Sequence, residues 1–319
     1  MAPRREQPRR MNVTVIVVTY HSAAVLPGLL ESLDDGLRGV SWQLIVADNA
    51  SADDSVAIAQ RIVPGCRIAQ TGRNAGYAAA FNAALRVAEP SDAVLILNPD
   101  VRLRPGSVAR LLARLGEAGP SSEQRVGITV PRILGEDGHV ALSLRREPTV
   151  RRALGDALLG QRAGRFPALG ETVVDRDAYF RDGTVDWATG AVMLMSRACL
   201  DACGPWEERF FLYSEETEFA LRARDRGFLT TLVADAEVVH IGGESRVSPA
   251  LWSLLTVNKV RLYGMRHSRP ATALFWSAVF LREASRAVLG HPRSRRALAA
   301  LVRPARLPFP PAPDVASAP

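Results

Sequence analysis

Apolar, β-branched runs alternate with helical segments through the first hundred residues of the chain, and few folds satisfy that order. "VTVIVVTY" at 13–20 is a continuous run typical of a parallel strand buried on both faces. Similar strand segments occur at 42–51, 67–71 and 92–101, with helical patterns between them. The alternation predicts right-handed βαβ units in an α/β, doubly wound and mostly parallel sheet that binds ligands at the carboxyl ends of its strands.

The second half of the chain is less regular. The pattern loosens over 117–185, a stretch with many Arg, Gly and Pro residues that we interpret as a lid and acceptor-side insertion. Strands are again expected at 187–197 and 230–243, and 251–303 has a helical pattern. We therefore divide the chain into a disordered basic N-terminus (1–11), a catalytic domain (12–250), a basic and amphipathic helical segment (251–306) and a disordered Pro-rich tail (307–319).

The formal net charge of +7 is concentrated at the ends of the chain. Residues 259–306 hold 11 basic residues against a single acid, Glu283, while the body of the chain is net acidic. A protein that binds nucleic acid would carry its basic residues across the working surface, so this distribution argues against nucleic acid as a partner. It suits an anionic membrane surface or a phosphorylated lipid better.

The apolar run "ATALFWSAVFL" at 271–281 lies within this basic segment. It is too short to span a bilayer. Its composition predicts an interfacial helix, with Trp276 and Phe280 at the membrane surface. The alternative is a helix that packs on the catalytic domain and turns a basic face to solvent.

The cysteine pattern and the N-terminus indicate a cytoplasmic protein. Cys66, Cys199 and Cys203 form neither a CxxC pair nor a disulfide framework. The basic N-terminal segment lacks the apolar core of a secretory signal. We expect a cytoplasmic location, peripheral on the inner face of the cell membrane if the helical segment binds lipid.

The predicted strand ends carry carboxylates and amides where nucleotide-binding proteins often carry glycine motifs. No GxGxxG follows the first strand and GxxxxGK[ST] is absent, which argues against nicotinamide chemistry and P-loop phosphoryl transfer. These polar groups suit a nucleotide base, a ribose and a hard cation such as Mg²⁺ or Mn²⁺, which shares oxygen ligands with substrate phosphates. They are Asp48 and Asn49 after the second strand, Asn74 and Asn82 around the third helix, and Asp100 after the fourth strand.

The stretch "LYSEETEFALRARDRG" at 212–227 crowds Glu215, Glu216 and Glu218 into what reads as a helix start. Ser214 is an N-cap candidate, and the helix dipole stabilises carboxylates in a first turn. On these residues alone, helix capping is the simpler interpretation.

Seven segments, in order and spacing, resemble the family 2 glycosyltransferases, and more narrowly the bacterial rhamnosyltransferases of cell-wall and polysaccharide assembly. They are "VIVVTYHSA", "LIVADNASADDS", "TGRNAGYAAAFNAAL", "LILNPDV", "TGAVMLMSR", "FFLYSEETEFALRARDRG" and "VVHIGGES", within residues 12–250. The resemblance implies a GT-A fold with a nucleotide-binding half and an acceptor half. It also implies a nucleoside-diphosphate sugar donor, a divalent metal ion and inversion at the anomeric carbon.

The resemblance assigns roles to residues by position. Thr19 and Tyr20 would line the nucleoside pocket, and Asp48 would hydrogen-bond the pyrimidine base. Asp100 matches the last carboxylate of the family's DxD metal motif, and His240 matches a histidine that completes the metal site. The donor pocket would also include Asn49, Asn74, Gly76 and Asn98.

The metal site departs from the family pattern at one position. Asn98 stands where the family often has the first Asp of the DxD motif. One carboxylate, Asp100, is left to hold the ion. We therefore expect the affinity for metal to depend strongly on the donor diphosphate.

The acidic stretch acquires a second explanation from the resemblance. Glu216 would be the general base, while Glu215 and Glu218 would orient the acceptor or the helix. Gly190 would lie in the acceptor site. Cationic support for the leaving diphosphate would come from one of two arginines in the same helix, Arg222 or Arg224.

We therefore expect an inverting, metal-dependent glycosyltransferase that moves rhamnose from dTDP-rhamnose to a hydroxyl of a lipid-linked or polysaccharide acceptor. One alternative is a sugar-phosphate nucleotidyltransferase, which would release pyrophosphate and has no use for an acidic cluster beside an acceptor. Another is a non-catalytic sugar-nucleotide-binding subunit, which would bind donor without turnover and has no need of Asp100, Glu216 and His240 together.

Overall fold

The computed structural model describes residues 11–242 and 248–304. The predictions of a disordered basic N-terminus and a disordered Pro-rich tail concern residues that lie outside this described part, apart from Met11. Residues 243–247, at the end of the predicted catalytic domain, also lie outside it.

The nucleotide-binding half is a parallel sheet with the strand order β3-β2-β1-β4. The strands are β1 (Asn12–Thr19), β2 (Ser41–Asp48), β3 (Arg67–Gln70) and β4 (Ala93–Leu97), connected by α1 (Leu26–Gly36), α2 (Ser55–Ile62) and α3 (Tyr77–Val87). Hydrophobic clusters cover both faces of β1 and β4, which explains their continuous apolar runs. The predicted βαβ units and α/β fold class are confirmed.

The second half extends the same sheet with mixed strand directions. Strand β10 runs antiparallel to β4 and β6 and so joins the halves, while β11 runs parallel to β6 and antiparallel to β5 and β8. The strands are β5 (Val101–Leu103), β6 (Arg125–Leu134), β7 (Leu144–Arg145), β8 (Gly183–Val185), β9 (Trp187–Ala188), β10 (Val192–Ser196) and β11 (Phe228–His240). The helices here are α4 (Ser107–Arg114), α5 (Val150–Leu159), α6 (Arg197–Cys203) and α7 (Glu215–Asp225).

Two predictions for this half are wrong in part. The segment 117–185 is more than an insertion, because it supplies β6, a 10-residue strand between β10 and β11. The sequence of β6 contains Gly127 and Pro131, residue types depleted in strands, which hid it from pattern analysis. The strand expected at 187–197 is broken into β9 and β10, and α6 begins at Arg197.

Three C-terminal helices pack against one another and against α5. They are α8 (Pro249–Arg266), α9 (Arg269–Val288) and α10 (Pro292–Val302). Their shared hydrophobic cluster includes Ala153 of α5, Val257 of α8 and Phe275 of α9. No helix in the described part of the chain combines the length and the apolar character needed to cross a bilayer.

The side chains predicted to lie at a membrane surface pack inward instead. Trp276 and Phe280 are partly buried against the C-terminal hydrophobic cluster and stack on each other, with ring centroids 5.0 Å apart. This packing favours the alternative interpretation for these two aromatic residues. They lie on the side of α9 that packs into the protein.

Candidate active site

The residues predicted for the donor and acceptor sites converge around Tyr77, at the start of α3. Its hydroxyl oxygen lies 2.9 Å from Asn98 Oδ1 and 3.4 Å from the carbonyl oxygen of Gly190. Burial, together with the negative charges of Glu215, Glu216 and Asp100, raises the pKa of Tyr77 well above its usual range. The carboxylate of Asp100, after β4, and the carboxyl groups of Glu215 and Glu216, at the start of α7, are therefore all close enough to Tyr77 to act on its hydroxyl.

The nucleoside end of the site is formed by the ends of β1 and β2. Asp48 is 1% exposed, and its Oδ1 accepts hydrogen bonds from the hydroxyls of Thr19 at 2.8 Å and Ser51 at 2.6 Å. Its Oδ2 accepts one bond, from the Ser51 N–H, and has capacity for a second. Tyr20 is 50% exposed beside His21. Asp48 is thus held rigidly by its loop, and its contact with a base stays a prediction.

The amides predicted for the donor pocket build the turn before α3. Asn49 is buried, donates to the carbonyl of Gly76 at 3.2 Å and accepts from the hydroxyl of Thr71 at 3.1 Å. Asn74 accepts from the Gly76 N–H at 3.3 Å. Gly76 has φ 93°, and a Cβ there would overlap the carbonyl oxygen of Phe211. Glycine is therefore required where the donor-side turn meets the loop before α7.

The amide of Asn82 also has a structural role. Its amide donates to the carbonyl of Trp206 at 2.9 Å and accepts from the N–H of the same residue at 3.0 Å. It also donates to Glu208 at 2.9 Å. These bonds fix the segment before α7 against α3.

The predicted metal ligands, Asp100 and His240, are brought together by strand pairing. Strand β11 ends at His240, which lies opposite Val101 of β5, so its Nε2 comes within 3.2 Å of Asp100 Oδ1. Burial alone would raise the pKa of Asp100, but the hydrogen bond and charge of His240 hold it below its usual value.

This pair could hold a divalent ion only with further ligands. Within residues 11–242 and 248–304, no group of three or more His, Cys, Asp or Glu side chains is arranged to bind a metal. One carboxylate and one imidazole leave positions for the oxygens of a diphosphate, as Mg²⁺ sites commonly do. The residues therefore fit an ion that is shared with a phosphorylated ligand.

The loop that leads into α7 has an unusual backbone. Phe211, Tyr213 and Ser214 have φ values of 65°, 69° and 79°, which are uncommon for residues other than glycine. Ser214 occupies the N-cap position but makes no side-chain capping hydrogen bond. The prediction that the Ser214 side chain caps the helix is therefore wrong; its backbone is left-handed, whereas capping residues usually have an extended backbone.

Glu216, the residue predicted to be the general base, lies beside Gly190 and has a raised pKa. Its side chain lies against Gly190, where a Cβ would come 3.3 Å from Glu216 Cβ. Burial raises the pKa of Glu216 to about 7, against the opposing effect of the N–H groups of Glu216, Thr217 and Ser214 and the charge of Arg145. A base works best when its pKa lies near the working pH.

Glu215 lies deeper than Glu216. It is 3% exposed, and its Oε2 has no hydrogen-bond partner among residues 11–242 and 248–304. Burial and the charge of Glu216 raise the pKa of Glu215 well above its usual range. The two adjacent carboxyl groups therefore titrate as a pair.

Glu218 and the two arginines of α7 have structural partners. Arg222 Nε lies 2.9 Å from Glu218 Oε1, and Nη2 lies 2.7 Å from Oε2. Arg224 pairs with Glu147 at 2.8 Å and with Asp186 at 3.2 Å. This geometry favours helix support, one of the two roles predicted for Glu218. Carboxylates of the protein engage both arginines, and the support of a diphosphate by Arg222 or Arg224 stays a prediction.

Sequence analysis missed three residues that shape this site, namely Tyr77, Arg145 and Asn258. Tyr77 follows Gly76 in the motif "TGRNAGYAAAFNAAL", and this position is the feature of the sequence that could have identified it. Arg145 lies in the irregular segment 117–185 and could not be placed without the fold.

Asn258 anchors the strained loop from the C-terminal helix α8. It is fully buried, and its Nδ2 lies 2.7, 2.9 and 3.2 Å from the carbonyl oxygens of Phe210, Leu212 and Tyr213. The signal in the sequence is one amide inside the helical run "LLTVNKV". A buried asparagine in such a run requires partners, but the pattern does not say which.

Comparison with known proteins identifies the family. The model of glycosyl transferase family 2 matches residues 14–159. The chain is 32% identical over 239 residues to N-acetylglucosaminyl-diphospho-decaprenol L-rhamnosyltransferase of Mycobacterium tuberculosis. The aligned residues make up 71% of this chain and 75% of that protein. It is 26% identical to the low-salt glycan biosynthesis hexosyltransferase Agl10 of Haloferax volcanii, over 67% of this chain and 62% of that protein.

Solved structures with the same fold are glycosyltransferases. S. aureus TarS has a TM-score of 0.52 and 17% identity, over 93% of this chain and 81% of that one. The mannosyltransferase PcManGT of Pyrobaculum calidifontis, solved with GDP-Man and Mn²⁺, has a TM-score of 0.52 and 19% identity, over 94% of this chain and 83% of that one. These likenesses show the GT-A fold. With the sequence match to the rhamnosyltransferase, they confirm the resemblance: the chain belongs to glycosyl transferase family 2.

Proposed function

We propose that this glycosyltransferase moves rhamnose from dTDP-rhamnose to a hydroxyl of a lipid-linked acceptor, with inversion at the anomeric carbon. The observation that carries the proposal is that Glu216, whose pKa burial raises to about 7, and Asp100, which pairs with His240, both act electrostatically on the hydroxyl of Tyr77. The identity of the donor and acceptor is supported by the mycobacterial relative, whose name specifies L-rhamnosyl transfer to a decaprenol-linked N-acetylglucosaminyl diphosphate.

The protein residues supply proton transfer and orientation. The carboxylate of Glu216 takes the proton of the acceptor hydroxyl as its oxygen attacks the anomeric carbon. The bond from that carbon to the diphosphate breaks on the opposite face, so the configuration inverts and the proton remains on Glu216. Gly190 leaves room beside this carboxylate, because any larger side chain would press on it.

Asp100 and His240 are the residues that would hold Mg²⁺ or Mn²⁺. When bound, the ion supplies positive charge against the departing diphosphate. Asn98 cannot add a second charge, and its carbonyl oxygen already accepts the Tyr77 hydroxyl. The mannosyltransferase with the same fold was solved with Mn²⁺, which supports Mn²⁺ as one candidate. We therefore propose an ion that binds tightly only with the donor.

We also propose that the enzyme works in the cytoplasm at the anionic inner surface of a membrane, where a lipid-linked acceptor would lie. The support is the basic C-terminal segment, with 11 Lys and Arg residues against one acid over residues 259–306.

A transfer assay with purified protein tests the proposal. The donors are dTDP-rhamnose and matched UDP- and GDP-sugars, each with and without Mn²⁺, and the acceptor is a lipid-linked N-acetylglucosaminyl diphosphate. We expect product with dTDP-rhamnose and Mn²⁺, and none from Glu216→Gln on the same timescale. Faster turnover of a UDP- or GDP-sugar would overturn the donor assignment. Donor binding without transfer would instead support the non-catalytic alternative.

A further inference from the structure

Two helix ends on the acceptor half expose pairs of adjacent aliphatic side chains. At the end of α5, Leu158 is 73% exposed and Leu159 is 43% exposed. At the end of α9 and immediately after it, Val288 is 86% exposed and Leu289 is 76% exposed. Single exposed aliphatic residues are ordinary on protein surfaces, but grouped ones indicate a contact surface.

The two helix ends lie side by side. Helices α5 and α9 pack in one hydrophobic cluster, and Arg286 Nη2 of α9 lies 3.4 Å from the carbonyl oxygen of Asp156 in α5. A Cβ on Gly160, which follows α5, would lie 3.4 Å from the same nitrogen. The exposed pairs therefore start within about one helical turn of a shared contact. We call them the apolar tip: Leu158, Leu159, Val288 and Leu289.

The exposed charged side chains around the apolar tip in sequence are all positive. Residues 156–166 and 283–304 contain two acids, Asp156 and Glu283, which are half-buried and buried. Six arginines in these segments are exposed: Arg162, Arg165, Arg293, Arg295, Arg296 and Arg303. An apolar centre with a basic border has the composition of a surface that inserts into an anionic lipid interface.

The apolar tip belongs to the part of the molecule that would receive the acceptor. The charge of Arg145, the last residue of β7, acts on Glu216, and α5 begins five residues later at Val150. This helix has 10 residues and is therefore about 15 Å long. The apolar tip thus lies at the far end of the helix that follows β7, whose last residue acts on the proposed base.

We propose that the apolar tip inserts into the acyl boundary of an anionic bilayer while the six arginines bind lipid phosphates. The inference rests on the proposed lipid-linked acceptor, since such an acceptor must be taken up from a bilayer. The inserting residues are then exposed aliphatic side chains, and not Trp276 and Phe280 of α9, which are half-buried. A bilayer is favoured over a protein partner because the exposed charged side chains that follow both helix ends in these segments are all positive.

Vesicle flotation of the full chain tests the surface directly. The vesicles contain phosphatidylcholine alone or with phosphatidylglycerol, at low and at high ionic strength. We expect wild-type protein to float with the anionic vesicles and to be released by salt. The double substitution Leu158→Asp and Val288→Asp should weaken binding roughly tenfold or more. The matched control is Val87→Asp at the end of α3, a 45% exposed position on the nucleotide-binding half.

A second comparison separates this inference from the proposed function. With a short-chain, water-soluble acceptor, the double variant should transfer sugar at the wild-type rate, whereas with a bilayer-embedded acceptor its rate should fall. Equal flotation of the double variant and the wild type, or no flotation at any salt concentration, would contradict the proposal that the apolar tip inserts into a bilayer. Flotation that depends on the tip, combined with transfer of another sugar, would overturn only the proposed donor.

Discussion

At the residue scale, the chemistry proposed for the site depends on Glu216. We expect Glu216→Gln to keep donor affinity, because glutamine has nearly the same size, and to lower transfer by roughly 10²- to 10⁴-fold, because it cannot take a proton. Single-turnover transfer and donor titration measure the two effects. Glu215→Gln is the matched control, in which KM should rise more than kcat falls. A near-normal transfer rate in Glu216→Gln would indicate that Glu216 only stabilises the start of α7.

The raised pKa of Glu216 predicts a specific pH dependence of catalysis. The active form of a base is deprotonated, so kcat/KM should fall as the pH drops through about 7, the value set chiefly by burial. This inflection should be absent from the residual activity of Glu216→Gln. A wild-type profile that stays flat between pH 6 and pH 8 would contradict the assignment.

The raised pKa of Glu216 also predicts an effect of pH on the stability of the fold. The folded-state pKa lies above the ordinary value of an unfolded glutamate, so the folded protein binds this proton more tightly. The stabilisation is present at low pH and is lost as the pH rises through about 7. Glu216→Gln should therefore raise Tm more at pH 8 than at pH 5. An equal change at both values would argue against a buried, ionising carboxylate.

Asp100 supplies the carboxylate of the proposed metal site, and His240 supplies the imidazole. Asp100→Ala should abolish turnover and remove the metal-dependent part of donor binding, because His240 alone offers a single ligand. Calorimetric titration of the donor with and without Mn²⁺ measures this difference. The control is Asn98→Ala, which removes a neutral neighbour and should keep part of the metal effect. Unchanged affinity and rate in Asp100→Ala would remove the metal assignment.

At the element scale, the strained loop before α7 depends on a helix that comes later in the chain. We expect Asn258→Ala to lower kcat by about tenfold or more with smaller change in donor affinity, because the loop that presents Glu216 loses its anchor. The free energy of unfolding should fall by about 1 to 3 kcal/mol, because buried carbonyls lose their donor. Enzyme kinetics and chemical denaturation measure the two quantities.

The control for this prediction is Thr256→Ala in the same helix. Thr256 is also buried, but its hydroxyl bonds only the carbonyl of Trp252 within α8, at 2.7 Å. This variant should change stability without a specific loss of kcat. If Asn258→Ala and Thr256→Ala have the same kinetics, the anchor does not position the base.

The elements that sequence analysis recovered are those whose pattern is local. The β-branched runs of β1 and β4 are apolar because both faces of each strand are buried, so each strand can be recognised from its own sequence. Strand β6 is equally central but is interrupted by Gly127 and Pro131, and its place follows from pairing with β10 and β11. Such pairing depends on residues more than 60 positions away and leaves no local signal.

At the scale of the whole molecule, the candidate site is assembled from distant parts of the chain. Sequence resemblance brought Asp100, Glu216 and His240 into one hypothesis, and the structure places all three around or beside Tyr77. The sequence resemblance could not show that Arg222 and Arg224 have carboxylate partners, because ion pairing depends on the neighbours that folding supplies. The same reason hid Arg145, whose charge reaches Glu216 only after β7 is in place.

The position of Asn258 bears on when the enzyme becomes active during its own synthesis. Chains fold from the N-terminus as they emerge, so the parallel half can form before the C-terminal helices exist. A nascent chain that has emerged as far as β11 contains Asp48, Asp100 and His240 but lacks the amide that holds the loop before Glu216. Donor recognition would therefore precede catalytic competence on the ribosome, and an unfinished polypeptide could hold a nucleotide sugar without consuming it.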